Sequence, residues 1–136
     1  MMKYRLVAAT LIAILTCLTG LDAWSQNAPP PGIKRIDLLK QNISAPGREV
    51  VQVVIEFEDG ATAPRHAHPG DELVFMLEGS LDYAIEGQRP TTLKVGQVLL
   101  IPQGAFHSVK NVSGGKAREL ATYIVETGKP LLKFAD

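Results

Sequence analysis

The chain has three histidines, and all of them fall in two short stretches. The first, residues 60–79, reads GATAPRHAHPGDELVFMLEG, and the second, residues 96–111, reads GQVLLIPQGAFHSVKN. Side chains two apart on a β-strand point to one face, so His66 and His68 present two imidazoles side by side. Pro69-Gly70 is a turn signal directly after that pair, and the chain re-enters the sheet at Glu72 with a carboxylate for the same point. Pro102-Gln103-Gly104 makes another turn just before His107. This spacing suits a metal ion.

The first stretch resembles the first motif of the cupin superfamily, G-x5-H-x-H-x3-E-x6-G, with Gly60, His66, His68, Glu72 and Gly79 in register. The second is similar to the other cupin motif, G-x5-P-x-G-x2-H-x3-N, through Gly96, Pro102, Gly104, His107 and Asn111. No fixed position departs from either pattern, and the resemblance extends over residues 33–125. It implies an all-β fold, a single antiparallel, jelly-roll-like barrel of the small exported type. It also implies one divalent metal ion held by His66, His68, Glu72 and His107. It does not imply one reaction, because function lives in sites carried by a fold rather than in the fold.

Imidazole nitrogen and carboxylate oxygen are donors of intermediate hardness, compatible with divalent Mn, Fe, Ni, Co, Cu or Zn. Four protein ligands on a metal that prefers six leave positions for water, dioxygen or a bidentate substrate. By alternation from Glu72, Val74 and Met76 also point inward, and Val53, Ile55 and Phe57 face them across the barrel. That wall is apolar, which fits a small hydrophobic or aromatic ligand. No catalytic residue separate from the metal site stands out. Tyr83, Tyr123 and Arg65 read as ordinary strand residues, and Asn111 as the donor of a local hydrogen bond. Asn42-Ile-Ser44 and Asn111-Val-Ser113 match the glycosylation acceptor pattern.

The rest of the chain sets the context. Lys3 and Arg5 precede an apolar run over residues 6–21, and Ala23-Trp24-Ser25 offers the small residues that a signal peptidase reads. A transmembrane helix needs about 20 strongly apolar residues, and Thr10, Thr16 and Thr19 dilute this run. We expect a signal peptide over residues 1–25, cut after Ser25, no stable membrane anchor, and a periplasmic or secreted product. The single cysteine, Cys17, leaves with that segment, so the mature chain has no thiol for a disulfide or a metal. The 14 basic residues are balanced by 14 acidic ones, and no electrostatic footprint for nucleic acid appears.

A proline-rich lead-in spans residues 26–32 and a weakly patterned tail spans 127–136, expected to pack outside the barrel. Between them, residues 33–126 read as short strands punctuated by turn signals, with no helical periodicity. Leu73, Phe75 and Leu77 give one strand a second apolar face, which a homodimer would bury. Three functions remain open: a metal-dependent, dioxygenase-like enzyme, an oxidoreductase acting on a small molecule; a non-catalytic metal- or ligand-binding module; and a barrel for self-association or partner binding in which the metal is structural.

Overall fold

The structure, a computed structural model, describes residues 29–135; the expected signal peptide, its cleavage site and Cys17 lie outside them. Among the described residues there is no helix, and the chain runs as ten strands. These are β1 (Ile33–Asn42), β2 (Arg48–Phe57), β3 (Thr62–Ala67), β4 (Gly70–Glu78), β5 (Ser80–Ile85), β6 (Thr91–Lys94), β7 (Val98–Ile101), β8 (His107–Asn111), β9 (Ala117–Glu126) and β10 (Lys133–Phe134). They form two five-stranded sheets, β1-β2-β9-β4-β7 and β10-β3-β8-β5-β6, and every pairing is antiparallel. The all-β, jelly-roll-like expectation holds, with one difference: the sheets face each other as two layers and do not close into one hydrogen-bonded barrel.

Alternation decides which residues enter the space between the layers. Along β4, Glu72, Val74 and Met76 are buried while Leu73, Phe75 and Leu77 are exposed. Along β9, Ala117, Glu119, Ala121, Tyr123 and Val125 are buried in the same way. The larger core cluster joins Phe57, Val74, Met76, Ile101 and Ala117 of the first sheet to Leu81, Tyr83, Ile85, Leu93 and Val109 of the second. A smaller cluster of Val51, Val53, Ala121, Tyr123 and Val125 lies beside it. Each fully buried aliphatic or aromatic side chain contributes about 1.5–3 kcal/mol, so the larger cluster is what holds the two sheets face to face.

The tail is not outside this arrangement. Lys133 and Phe134 add a short strand to the edge of β3, opposite Ala67 and His66. Asn111 does more than close a local bond. Its side-chain nitrogen reaches the carbonyls of Phe57, Glu58 and Gly115 at 3.1, 2.9 and 2.7 Å, tying the end of β8 to the end of β2. It is 1% exposed, which removes it as a glycan acceptor in the folded protein.

Two glycines of the first stretch are needed for different reasons. Gly60 has φ of +69°, the left-handed conformation its turn requires, and a Cβ there would meet open space. Gly70 has no such φ and begins β4, where the backbone of β9 presses against it. A Cβ at Gly70 would overlap the Ile124 carbonyl oxygen and stand 2.5 Å from Val125 Cα. Both neighbours are backbone, so the clash can be relieved only by parting the β4–β9 ladder that carries Glu72. We expect Gly70→Ala to destabilise by at least about 2 kcal/mol, and Gly60→Ala by about 1 kcal/mol. Urea unfolding of both variants checks the order, and equal losses would show that β4 and β9 do not approach this closely.

Candidate metal centre

His66 and His107 face each other across the β3–β8 ladder. His68 follows one residue after the end of β3. Glu72 comes from the opposite sheet, where β4 places it between Tyr123 of β9 and Ile101 of β7. One ligand-type nitrogen from each of the three imidazoles lies within 4.8 Å of the others. Glu72 Oε2 stands 3.0 Å from His68 Nε2 and 3.4 Å from His107 Nε2. All four side chains are buried.

The direction of each ring follows from its other nitrogen. His66 Nδ1 lies 2.6 Å from the Pro64 carbonyl, His68 Nδ1 2.8 Å from that of Leu131, and His107 Nδ1 3.1 Å from that of Ala105. A carbonyl oxygen only accepts, so each Nδ1 must carry a proton and donate it. The neutral ring is then left with a lone pair on Nε2, the form in which histidine binds a metal. Two of these carbonyls lie two residues from their histidine, while the third is brought by the tail.

His68 Nε2 and Glu72 Oε2 are close, but they are not aimed as a hydrogen bond; both are buried and without a hydrogen-bond partner among the described residues. Unpartnered polar atoms are costly in a protein interior, and a cation between them would satisfy both. The electrostatics agree. Burial, with the charge of His107 adding to it, pulls His66 from its ordinary 6.5 to about 4, so the ring is neutral at physiological pH. Burial pushes Glu72 upward, but the adjoining His107 and His68 outweigh it and hold the carboxyl well below the usual carboxylate range. A neutral His66 ring and an ionised Glu72 carboxylate are the protonation states that metal binding needs.

Beside this cluster is a cavity of about 550 Å³, lined by His66, Glu72 and His107. Ile55 and Phe57 also line it, whereas Val53 sits in the smaller core cluster and Val74 and Met76 in the larger one. The wall is more polar than the sequence pattern implied. Arg35, Asp37 and Lys40 of β1, Glu49 of β2, and Glu119 and Tyr123 of β9 all reach it, and the tail adds Leu131, Leu132 and Phe134. One signal for this was visible: Glu119 occupies an inward position in the alternation of β9, where an apolar residue belongs. Arg65 lies elsewhere, bonded to Glu86 at 3.1 Å and stacked on Phe106.

Residues 53–123 match the protein family described as Cupin domain. The chain belongs to the cupin family. Among curated relatives, germin-like protein 1 of Brassica napus is 36% identical over 78 residues, covering 53% of this chain and 38% of the relative. Germin-like protein subfamily 3 member 1 of Arabidopsis thaliana is 33% identical over 78 residues, covering 54% of this chain and 36% of the relative. The cupin described here thus matches well under half the length of those relatives. Among solved structures, a Klebsiella pneumoniae protein with a double-stranded β-helix domain has a TM-score of 0.64 at 20% identity, covering 80% of this chain and 90% of that one. An oxalate oxidase in complex with glycolate has a TM-score of 0.63 at 23% identity, covering 79% and 57%. A DMSP lyase from Ruegeria pomeroyi has a TM-score of 0.63 at 20% identity, covering 76% and 51%. These likenesses establish the fold.

The centre makes the metal-free protein sensitive to acid. Folded His66 titrates near 4 and the unfolded residue near 6.5, so between these values the unfolded state binds more protons and stability falls as pH falls. Glu72 acts in the same direction below its ordinary 4.5. Thermal melts of metal-free protein from about pH 7 to about pH 4 should show a progressive fall that His66→Asn reduces. A flat wild-type profile would mean that His66 is not buried in its neutral form.

Proposed function

We propose that this cupin is an exported, metal-dependent enzyme that binds one divalent ion through His66, His68, Glu72 and His107 and acts on a small molecule in the adjoining cavity. The observation that carries the reading is the pair of unpartnered buried atoms, His68 Nε2 and Glu72 Oε2, beside a ligand-sized cavity. Such an ion, once bound, supplies Lewis-acid polarisation and open positions for a substrate oxygen or for dioxygen. The chain's own part is to fix the three rings by their Nδ1 bonds, to provide one ionised carboxylate, and to shield the site with Ile55 and Phe57. Oxalate oxidase and DMSP lyase, which share the fold, are enzymes, and this favours turnover over passive binding. An oxygenase-like oxidation is the activity we assign, and a small anionic compound is the ligand that a positively charged centre favours.

Reconstitution at neutral pH should load one Mn, Fe, Ni, Co, Cu or Zn ion per chain, measured by elemental analysis. Replacing any one of the three histidines with alanine should weaken loading, and replacing two should abolish it. Free metal at about 100 times Kd should stabilise the fold by about 2.7 kcal/mol. Protein that stays metal-free and shows no thermal shift would remove the enzyme reading. Oxygen-uptake assays after anaerobic loading, across phenolic and diketone compounds, then separate turnover from binding; uptake that never exceeds the metal-only background supports a non-catalytic binding module.

The Lys3/Arg5 head and apolar run support export, and the exposed Leu73, Phe75 and Leu77 support a homodimer. Protein recovered from the periplasm or medium should begin near Gln26 and have a dimer mass by light scattering. An intact first methionine on membrane-bound protein contradicts export, and a monomer mass contradicts the dimer.

A further inference from the structure

The three histidines of the centre are not held alike. His66 and His107 donate from Nδ1 to carbonyls two residues away, those of Pro64 and Ala105. His68 donates at 2.8 Å to the carbonyl of Leu131, in the tail that follows β9. Two rings are therefore aimed by their own stretch of chain, and the third by a distant one.

That distant stretch is lightly attached. From residue 127 to residue 135 every position is exposed except Leu131, which packs half-buried against the smaller core cluster. β10 has only two residues, Lys133 and Phe134, set opposite Ala67 and His66. Beyond them the Ala135 amide donates to the Arg65 carbonyl at 3.0 Å, and Lys133 Nζ stands 5.9 Å from the Phe106 ring. β9, just before the tail, is paired along its whole length with β2. A segment with few buried contacts and exposed backbone bonds opens at a lower free energy than the strands it leans on. The tail can thus lift while both sheets stay folded.

Lifting it undoes two things together. His68 Nδ1 loses its acceptor, so nothing then sets the tautomer or the direction of that ring. The cavity loses one side, because Pro130, Leu131, Leu132 and Phe134 line it and the Phe134 ring centre lies 6.3 Å from that of His66. The dependence also runs in reverse. An imidazole that has given its Nε2 lone pair to a cation is a stronger Nδ1 donor, and charge-assisted hydrogen bonds are roughly twice as strong as neutral ones. We propose that residues 129–135 are a strap whose docking is coupled to metal binding through the bond from His68 to the Leu131 carbonyl. The docked strap fixes the ring for the ion and closes the cavity beside His66, and the loaded centre holds the strap down. Coupling of this kind is reciprocal, so each event favours the other by the same factor.

The proposal rests on the metal-centre reading, and one arm of its experiment needs no metal. Leu131→Gly combined with Phe134→Gly removes the two side chains that seat the strap beside the core and His66, and keeps the chain at full length. Nitrogen NMR of the imidazoles in metal-free protein, above neutral pH, should show wild-type His68 with its proton on Nδ1 alone. In the double variant His68 should become a mixture of tautomers, while His66 and His107, with their local acceptors, stay as they were. Zinc should bind the variant about 10- to 100-fold more weakly, the usual loss when the outer partner of a ligand histidine is removed. In the wild type, zinc should slow hydrogen exchange of the strap amides, that of Ala135 among them, by the same factor. This last measurement uses the unaltered chain and decides even where the double variant does not fold. A His68 tautomer indifferent to the double substitution, or strap amides that exchange equally fast with and without zinc bound, would overturn the proposal. Wild-type protein that takes up no zinc defeats the metal-centre reading instead, and the tautomer of metal-free His68 still decides whether the strap holds that ring.

Discussion

A carboxylate and three imidazoles share one buried point in this protein, and water is largely excluded from all four. Ionised Glu72 and an unpartnered His68 Nε2 are costly there unless something positive lies between them. The fold is arranged to hold that expensive cluster. The β3–β8 ladder sets two of the rings opposite each other, and β4 brings the carboxylate from the facing sheet. Gly70 lets β4 lie close enough to β9 to do so. The rings are aimed by backbone carbonyls, so their orientation is set without any ligand.

The parts that sequence makes legible are those in which cause and effect are close along the chain. His66, His68 and Glu72 are separated by a strand alternation and one proline–glycine turn, and both are short-range devices. The inward set Glu72, Val74 and Met76 follows from the same alternation. Other features depend on distant partners. The bond from His68 Nδ1 goes to Leu131, 63 residues away, so the tail reads as unpatterned although it braces the centre. Glu119 meets Tyr83 across 36 residues and two sheets. The proline and the glycine of the turn at 69–70 also read alike in sequence, yet Gly70 is needed for close backbone approach and not for its φ. Sheet closure is likewise invisible to a strand pattern: alternation gives inside and outside, not whether two edges join.

The cavity changes the chemistry expected of the site. An apolar wall would accept any small hydrophobic ligand held by a metal. The actual wall combines Ile55 and Phe57 with Arg35, Tyr123 and Glu119, so any ligand there would meet charged and hydrogen-bonding groups as well as apolar surface. Groups of that kind select strongly, because a ligand lacking the matching group leaves buried polar atoms unpaired.

In the proposed centre, three histidines and one glutamate form a single coordination shell. X-ray absorption at the metal edge, on protein loaded with zinc or manganese, observes that shell directly. Three imidazole nitrogens and at least one carboxylate oxygen are expected, at roughly 2.0–2.2 Å for zinc. The spectrum of His107→Ala should lose one imidazole while keeping the rest. A shell made of water and oxygen only, with no imidazole scattering in the wild type, would contradict it.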